Sequence, residues 1–87
     1  RGDTMKVLYF AWLKNKTGIG EETVDPPTHV KTVGDLVDWL KCCGPGHAEA
    51  LADPSVVRVA VNQEYAHWNT TVTPNDEVAL FPPVTGG

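Results

Sequence analysis

Few residues in this chain carry reactive groups, and most are spaced against using them. Cys42 and Cys43 are adjacent. On a helix, neighbouring side chains point about 100° apart, so the two thiols cannot share a tetrahedral metal at ordinary geometry. Cys43 follows Val33 along what reads as a core-facing helical stripe, and a small apolar core residue is expected there. His29, His47 and His67 are far apart, with no Cys or carboxylate at ligand spacing; they read as surface or internally satisfied histidines. Gly18-Ile19-Gly20 lacks the Gly, Lys and Ser/Thr that complete a phosphate loop, and reads as a helix end followed by a turn. Trp12, Trp39 and Trp68 could stack on bases, but no basic groove accompanies them, so packing or protein contact is expected. Spacing nominates no Ser-His-Asp set.

What remains is "FPPVTGG", residues 81–87. Pro82 and Pro83 fix φ near about −65°, which aims the following residues outward in an extended direction. Val84, Thr85, Gly86 and Gly87 then span roughly 13 to 14 Å at about 3.3 to 3.6 Å per residue. That is enough to enter a partner's active site. Two glycines can thread a narrow channel, because no Cβ blocks another backbone. A terminal carboxylate on Gly87, with a reference pKa of about 3.3 to 3.7, is ionised at neutral pH and is a poor electrophile. Conversion to an acyl-adenylate supplies a leaving group, after which sulfur or another nucleophile can capture the acyl carbon. Such a protein acts through an end and needs no pocket of its own.

The elements that must hold this end are legible as alternating and helical patterns. "MKVLYFAWL" (5–13) is rich in aromatic and β-branched residues, with both alternating sets apolar, and predicts a central strand. A helical turn from Trp12 is expected to end at Gly18, followed by a short strand through Val24 that Pro26 and Pro27 close. Val33, Leu36, Val37 and Leu40 follow the i, i+3, i+4, i+7 spacing of an amphipathic helix, with Thr32 as N-cap and Asp35 three residues on. Gly44 is expected to take the left-handed C-terminal conformation, with Pro45 forbidding continuation. "HAEALAD" predicts a second short helix stopped at Pro54, and "SVVRVAVN" a buried strand ended by Asn62. A brief strand is expected near His67 and Trp68, a turn at Pro74-Asn75-Asp76, and a final strand in "EVALFPP". The order implies an α+β domain, one mixed sheet of about four to five strands with helices on one face.

Composition agrees with one small globular domain over residues 5–87. Of 87 residues, 41% are hydrophobic and 21% charged, close to globular averages. Residues 1–4 precede Met5 and read as a remnant of recombinant expression. A net charge of −4 with seven dispersed basic residues argues against nucleic acid and towards protein partners with basic faces. Two adjacent cysteines are no disulfide framework and fit a reducing cytoplasm. No stretch approaches the roughly 20 apolar residues of a membrane span, and no signal peptide is seen.

Three segments together, "MKVLYFAWL", "VAVNQ" (59–63) and "DEVALFPPVTGG" (76–87), closely resemble the small, sulfur-carrying subunit of molybdopterin synthase, the MoaD type of the MoaD/ThiS ubiquitin-like family. The resemblance runs from Met5 to Gly87. It implies a ubiquitin-like β-grasp fold and no catalytic side chains of the chain's own. It further implies that a MoeB-type adenylating enzyme, related to ubiquitin activators, uses ATP and Mg to adenylate Gly87, which a sulfurtransferase system converts to a thiocarboxylate. The large synthase subunit, of the MoaE type, then accepts the tail within a heterotetramer, and sulfur passes to cyclic pyranopterin monophosphate in molybdenum cofactor biosynthesis. Gly87 is by this resemblance the acyl carrier, with Gly86, Thr85 and Val84 giving passage; no metal or cofactor is bound by the small subunit itself. Phe10, Tyr65, Phe81, Pro82 and Pro83 are the candidate docking residues. Phe10 could equally be core, and Tyr65 stands where the family varies. A thiamine-pathway sulfur carrier or a ubiquitin-like modifier would use the same terminal chemistry, and a non-catalytic β-grasp interaction module would use none.

Overall fold

The structure is a computed structural model that describes residues 4–83. Its five strands are β1 (Met5–Tyr9), β2 (Glu21–Val24), β3 (Arg58–Val61), β4 (Glu64–Tyr65) and β5 (Glu77–Phe81), and its helices are α1 (Trp12–Thr17), α2 (Val33–Leu40) and α3 (Pro45–Ala50). The strands form one mixed sheet in the order β2-β1-β5-β3-β4. Only the central pair, β1 and β5, runs parallel. This is the α+β arrangement that the element order predicts.

The helices cover one face of the sheet. Met5, Val7 and Tyr9 of β1 and Val78 and Leu80 of β5 point inward and are buried with Leu13, Leu36, Leu40 and Leu51. β1 is an interior strand of the sheet, as its composition predicts, and the helices cover one of its faces; on the other, Leu8 is half-buried and Phe10 is 48% exposed. Apolar residues on both faces of a strand imply two covered faces only if this chain supplies both covers.

Local chemistry explains the ends of the elements. Gly18 adopts φ 84 and closes α1, as Gly can at no steric cost. Thr32 and Asp35 form a reciprocal capping box at the start of α2. At the other end the expectation fails. α2 passes into a 3-10 turn, Lys41–Cys43, and Gly44 is extended (φ 166), so it is no left-handed cap. Pro45 opens α3 at its first position, where the missing N–H costs nothing. The second helix therefore starts earlier than "HAEALAD" and ends at Ala50, while Pro54 opens a separate 3-10 turn, Pro54–Val56, which shortens the expected strand to Arg58 onward. Cys43 is consequently exposed and outside the core. A 3-10 turn advances about 120° per residue against about 100° in an α-helix, which rotates the position off the core-facing stripe.

The hairpin from β3 to β4 turns through Asn62 and Gln63, both at positive φ (53 and 72), the pattern of a two-residue type I′ turn. The expected strand near His67 and Trp68 is absent, and β4 lies earlier, at Glu64–Tyr65. Backbone accounting gives the reason. The carbonyls of Trp68 and Thr70 accept the N–H groups of Gly34 (2.7 Å) and Val33 (2.9 Å), the orphan donors that begin α2. That segment serves the helix and leaves the sheet.

Candidate functional site

Because β1 and β5 are parallel neighbours, both finish at one end of the sheet. The pairing continues past β1, where the Phe10 N–H donates to Leu80 O at 3.1 Å. Phe10 therefore stands beside Phe81 on the outward face, next to Pro82 and Pro83, at which the described chain ends. Across from Phe81 in the antiparallel register is Arg58, and the next outward row runs Leu8, Ala79, Ala60 and Tyr65. Ala60 and Ala79 are small, so Tyr65 can lean over β3 towards Phe81. Their ring centroids are 5.9 Å apart and the planes are tilted by 54°. Tyr65 is 79% exposed, and Phe81, Pro82 and Pro83 are half-buried. Phe10, Tyr65 and Phe81 thus share the outward face, and Pro82 and Pro83 follow Phe81 in the chain at the same end of β5. Exposed aromatics gathered in this way form an apolar patch open to solvent. Val84, Thr85, Gly86 and Gly87 lie outside the described residues.

A shallow groove of about 670 Å³ adjoins Phe10, lined among others by Leu8, Lys14, Ile19 and Glu21. It brings no nucleophile together with a base. The cysteines offer no alternative, since their thiols donate to the carbonyls of Asp38 and Trp39 four residues back, each at 3.8 Å. Burial first, then the nearby Glu22 and Cys42, push the Cys43 thiol up from its ordinary range, which disfavours the reactive thiolate. Among the described residues no three His, Cys, Asp or Glu side chains are grouped to hold a metal ion, and no helix is long and apolar enough to cross a membrane. The three tryptophans are partly buried against the core.

One titratable cluster escaped the sequence reading. Tyr9 Oη donates to Glu22 Oε2 at 2.6 Å, and His47 Nε2 meets the same oxygen at 2.8 Å. The imidazole also stands edge-on to the Tyr9 ring, centroids 5.7 Å apart. Burial, then the hydrogen bond to Glu22, raise the Tyr9 phenol far above its ordinary pKa. The cluster is a brace joining β1, β2 and α3, and Tyr9 also lines the shallow groove beside Phe10. No sequence signal announces it: the register in which Val7 opposes Glu22 is what puts Tyr9 diagonally across from Glu22 on the inner face. His29 and His67 are exposed.

The described geometry offers an outward aromatic face and no catalytic pocket among the described residues, and comparison with known proteins gives the family. The molybdopterin synthase sulfur carrier subunit of Escherichia coli (strain K12) is 35% identical over 95% of this chain and 99% of its own length. The protein of the same description from Homo sapiens is 33% identical, covering 95% of this chain and 93% of its own. Among solved structures, small archaeal modifier protein 1 of Haloferax volcanii superposes with a TM-score of 0.77 at 30% identity, over 95% of this chain and 100% of that one. These neighbours share the ubiquitin-like β-grasp. With residues 7–87 also matched by the model of the ThiS family, the chain belongs to the ThiS family, the ThiS/MoaD group of small ubiquitin-like proteins.

Proposed function

We propose that the chain is the sulfur carrier of a molybdopterin synthase. The observation that carries the reading is a coincidence of place: the aromatic face of Phe10, Tyr65 and Phe81 lies at the end of the sheet from which the sequence continues through Pro82 and Pro83 into Gly86-Gly87. A carrier must present a reactive end to a partner, and a docking face beside that end lets binding energy aim it.

The chemistry begins with the ionised carboxylate of Gly87. A MoeB-type adenylating enzyme, using ATP and Mg, joins that carboxylate to AMP with release of pyrophosphate. A sulfurtransferase-derived hydrosulfide equivalent then attacks the acyl carbon and displaces AMP, leaving a thiocarboxylate. Sulfur delivered from it to cyclic pyranopterin monophosphate, in the active site of a MoaE-type large subunit, builds the dithiolene that later holds molybdenum. Water supplies the oxygen that restores the carboxylate. Catalytic side chains belong to the partners, the small subunit binds no cofactor, and the setting is the cytoplasm.

Intact-mass measurement after incubation with an active adenylating enzyme, ATP and a sulfur source tests the first half. The expected gain equals sulfur replacing one oxygen, mapped to Gly87; an unchanged mass would sink the reading. A stable complex with a molybdopterin synthase large subunit tests the second half, and separates this pathway from thiamine synthesis or protein modification.

A further inference from the structure

Beside the aromatic face lies a cleft of about 230 Å³, lined by Val57, Arg58, Val59, Ala66, His67 and Trp68. It exists because β4 is only two residues long: after Ala66 N–H donates to Val59 O, the chain turns away to cap α2 and leaves the edge of β3 uncovered. The lining holds one permanent cation, one imidazole and no carboxylate, in a chain whose net charge is −4.

Arg58 is held ready. Its Nη1 donates to Ser55 O at 3.2 Å and to Val57 O at 3.3 Å, which tethers one corner of the guanidinium and leaves the other donors for a ligand. Arg58 is exposed and in none of the ion pairs formed among the described residues. It is also directly across from Phe81, so a ligand in the cleft and a surface on the aromatic pair would belong to one partner. A tethered arginine loses little freedom on binding and matches a carboxylate with a two-pronged hydrogen-bond fork.

We infer that the Arg58 cleft receives an Asp or Glu side chain of the large synthase subunit, and that this pairing sets the register in which Tyr65 and Phe81 dock. The inference rests on the proposed function and deepens it. A charged pair at the edge of an apolar patch acts on register and residence time, which suits the partner that must hold the tail while sulfur leaves it.

The test is calorimetric titration of a purified large subunit with the full chain and with Arg58→Ala, Arg58→Lys and Arg58→Glu, each at low and high salt. Arg58→Ala is expected to weaken binding about tenfold at low salt and to flatten its salt dependence. Arg58→Lys should recover part of both, and Arg58→Glu should be weakest. A role confined to bracing the Pro54–Val56 turn would lower the thermal midpoint of the free protein and leave the salt dependence unchanged, which overturns the inference. So does unaltered affinity in Arg58→Ala, or a loss seen only with the adenylating enzyme. If the parent chain binds no large subunit at all, the functional reading fails and this inference falls with it.

Discussion

Glu22 Oε2 accepts both the Tyr9 hydroxyl and His47, so a single oxygen ties two strands to a helix. Removing the Tyr9 hydroxyl leaves Glu22 with one partner in a partly buried place. Tyr9→Phe should cost about 1.5 to 3 kcal/mol, the range for a hydrogen bond to a charged group, read from urea unfolding at neutral pH. The pH dependence has a definite sign. The folded-state pKa of Tyr9 is raised by burial and by Glu22, so the unfolded chain releases this proton at lower pH than the folded one. The stabilisation is complete below the unfolded value of about 10 and declines as pH rises above it, by up to about 1.4 kcal/mol per pH unit for one proton. Tyr9→Phe should remove that alkaline decline, so parent and variant converge as pH rises; parallel curves would mean that the phenol titrates in the folded state as it does in the open chain. None of this was legible beforehand, because neither 13 residues of separation nor residue type reveals that Tyr9 and Glu22 share an inner face.

Between elements, α3 approaches α1 backbone to backbone at Gly46. A Cβ on Gly46 would lie 2.4 Å from the backbone carbonyl oxygen of Lys16, and backbone cannot swing aside as a long side chain can. Gly46→Ala should therefore push the helices apart and cost about 1 to 3 kcal/mol in denaturant unfolding, despite the better helix propensity of Ala. The ion pair between Lys16 and Glu49 at 2.9 Å bridges the same helices but is exposed, and Lys16→Ala should cost less than about 1 kcal/mol. What could be read in advance at this scale follows from how local each signal is. α2 was legible from Thr32 to Leu40 because its stripe and capping box lie within the helix itself. β4 was not, because the choice between Glu64-Tyr65 and His67-Trp68 depends on Trp68 and Thr70 serving the first amides of α2. Gly44-Pro45 failed for a related reason: Gly followed by Pro punctuates a chain equally well as an end or as a beginning.

At the scale of the whole molecule, the one-sided cover of helices divides the sheet into an inner face that supplies stability and an outer face left open. The alternation of "EVALF" foreshadowed this division, with Val78 and Leu80 buried and Phe81 turned outward, whereas β1 concealed it by being apolar on both sides. Two substitutions should separate the roles. Leu36 is fully buried, and Leu36→Ala should lose about 2 to 5 kcal/mol of stability through lost contacts and a cavity. Below its lowered unfolding temperature, Leu36→Ala should still load sulfur and bind the large subunit with nearly parental affinity. Phe10, at 48% exposure, is only about half covered in the free protein. Phe10→Ala should cost about 1 kcal/mol in unfolding, less than Leu36→Ala, while weakening the complex about tenfold or more, as expected when an aromatic anchor leaves an interface. Both quantities come from the same two preparations, by thermal unfolding and by titration with the large subunit. If Phe10→Ala destabilised the free protein as much as Leu36→Ala and bound normally once folded, the outer aromatic face would be ordinary packing, and the docking role would have to move elsewhere on the sheet.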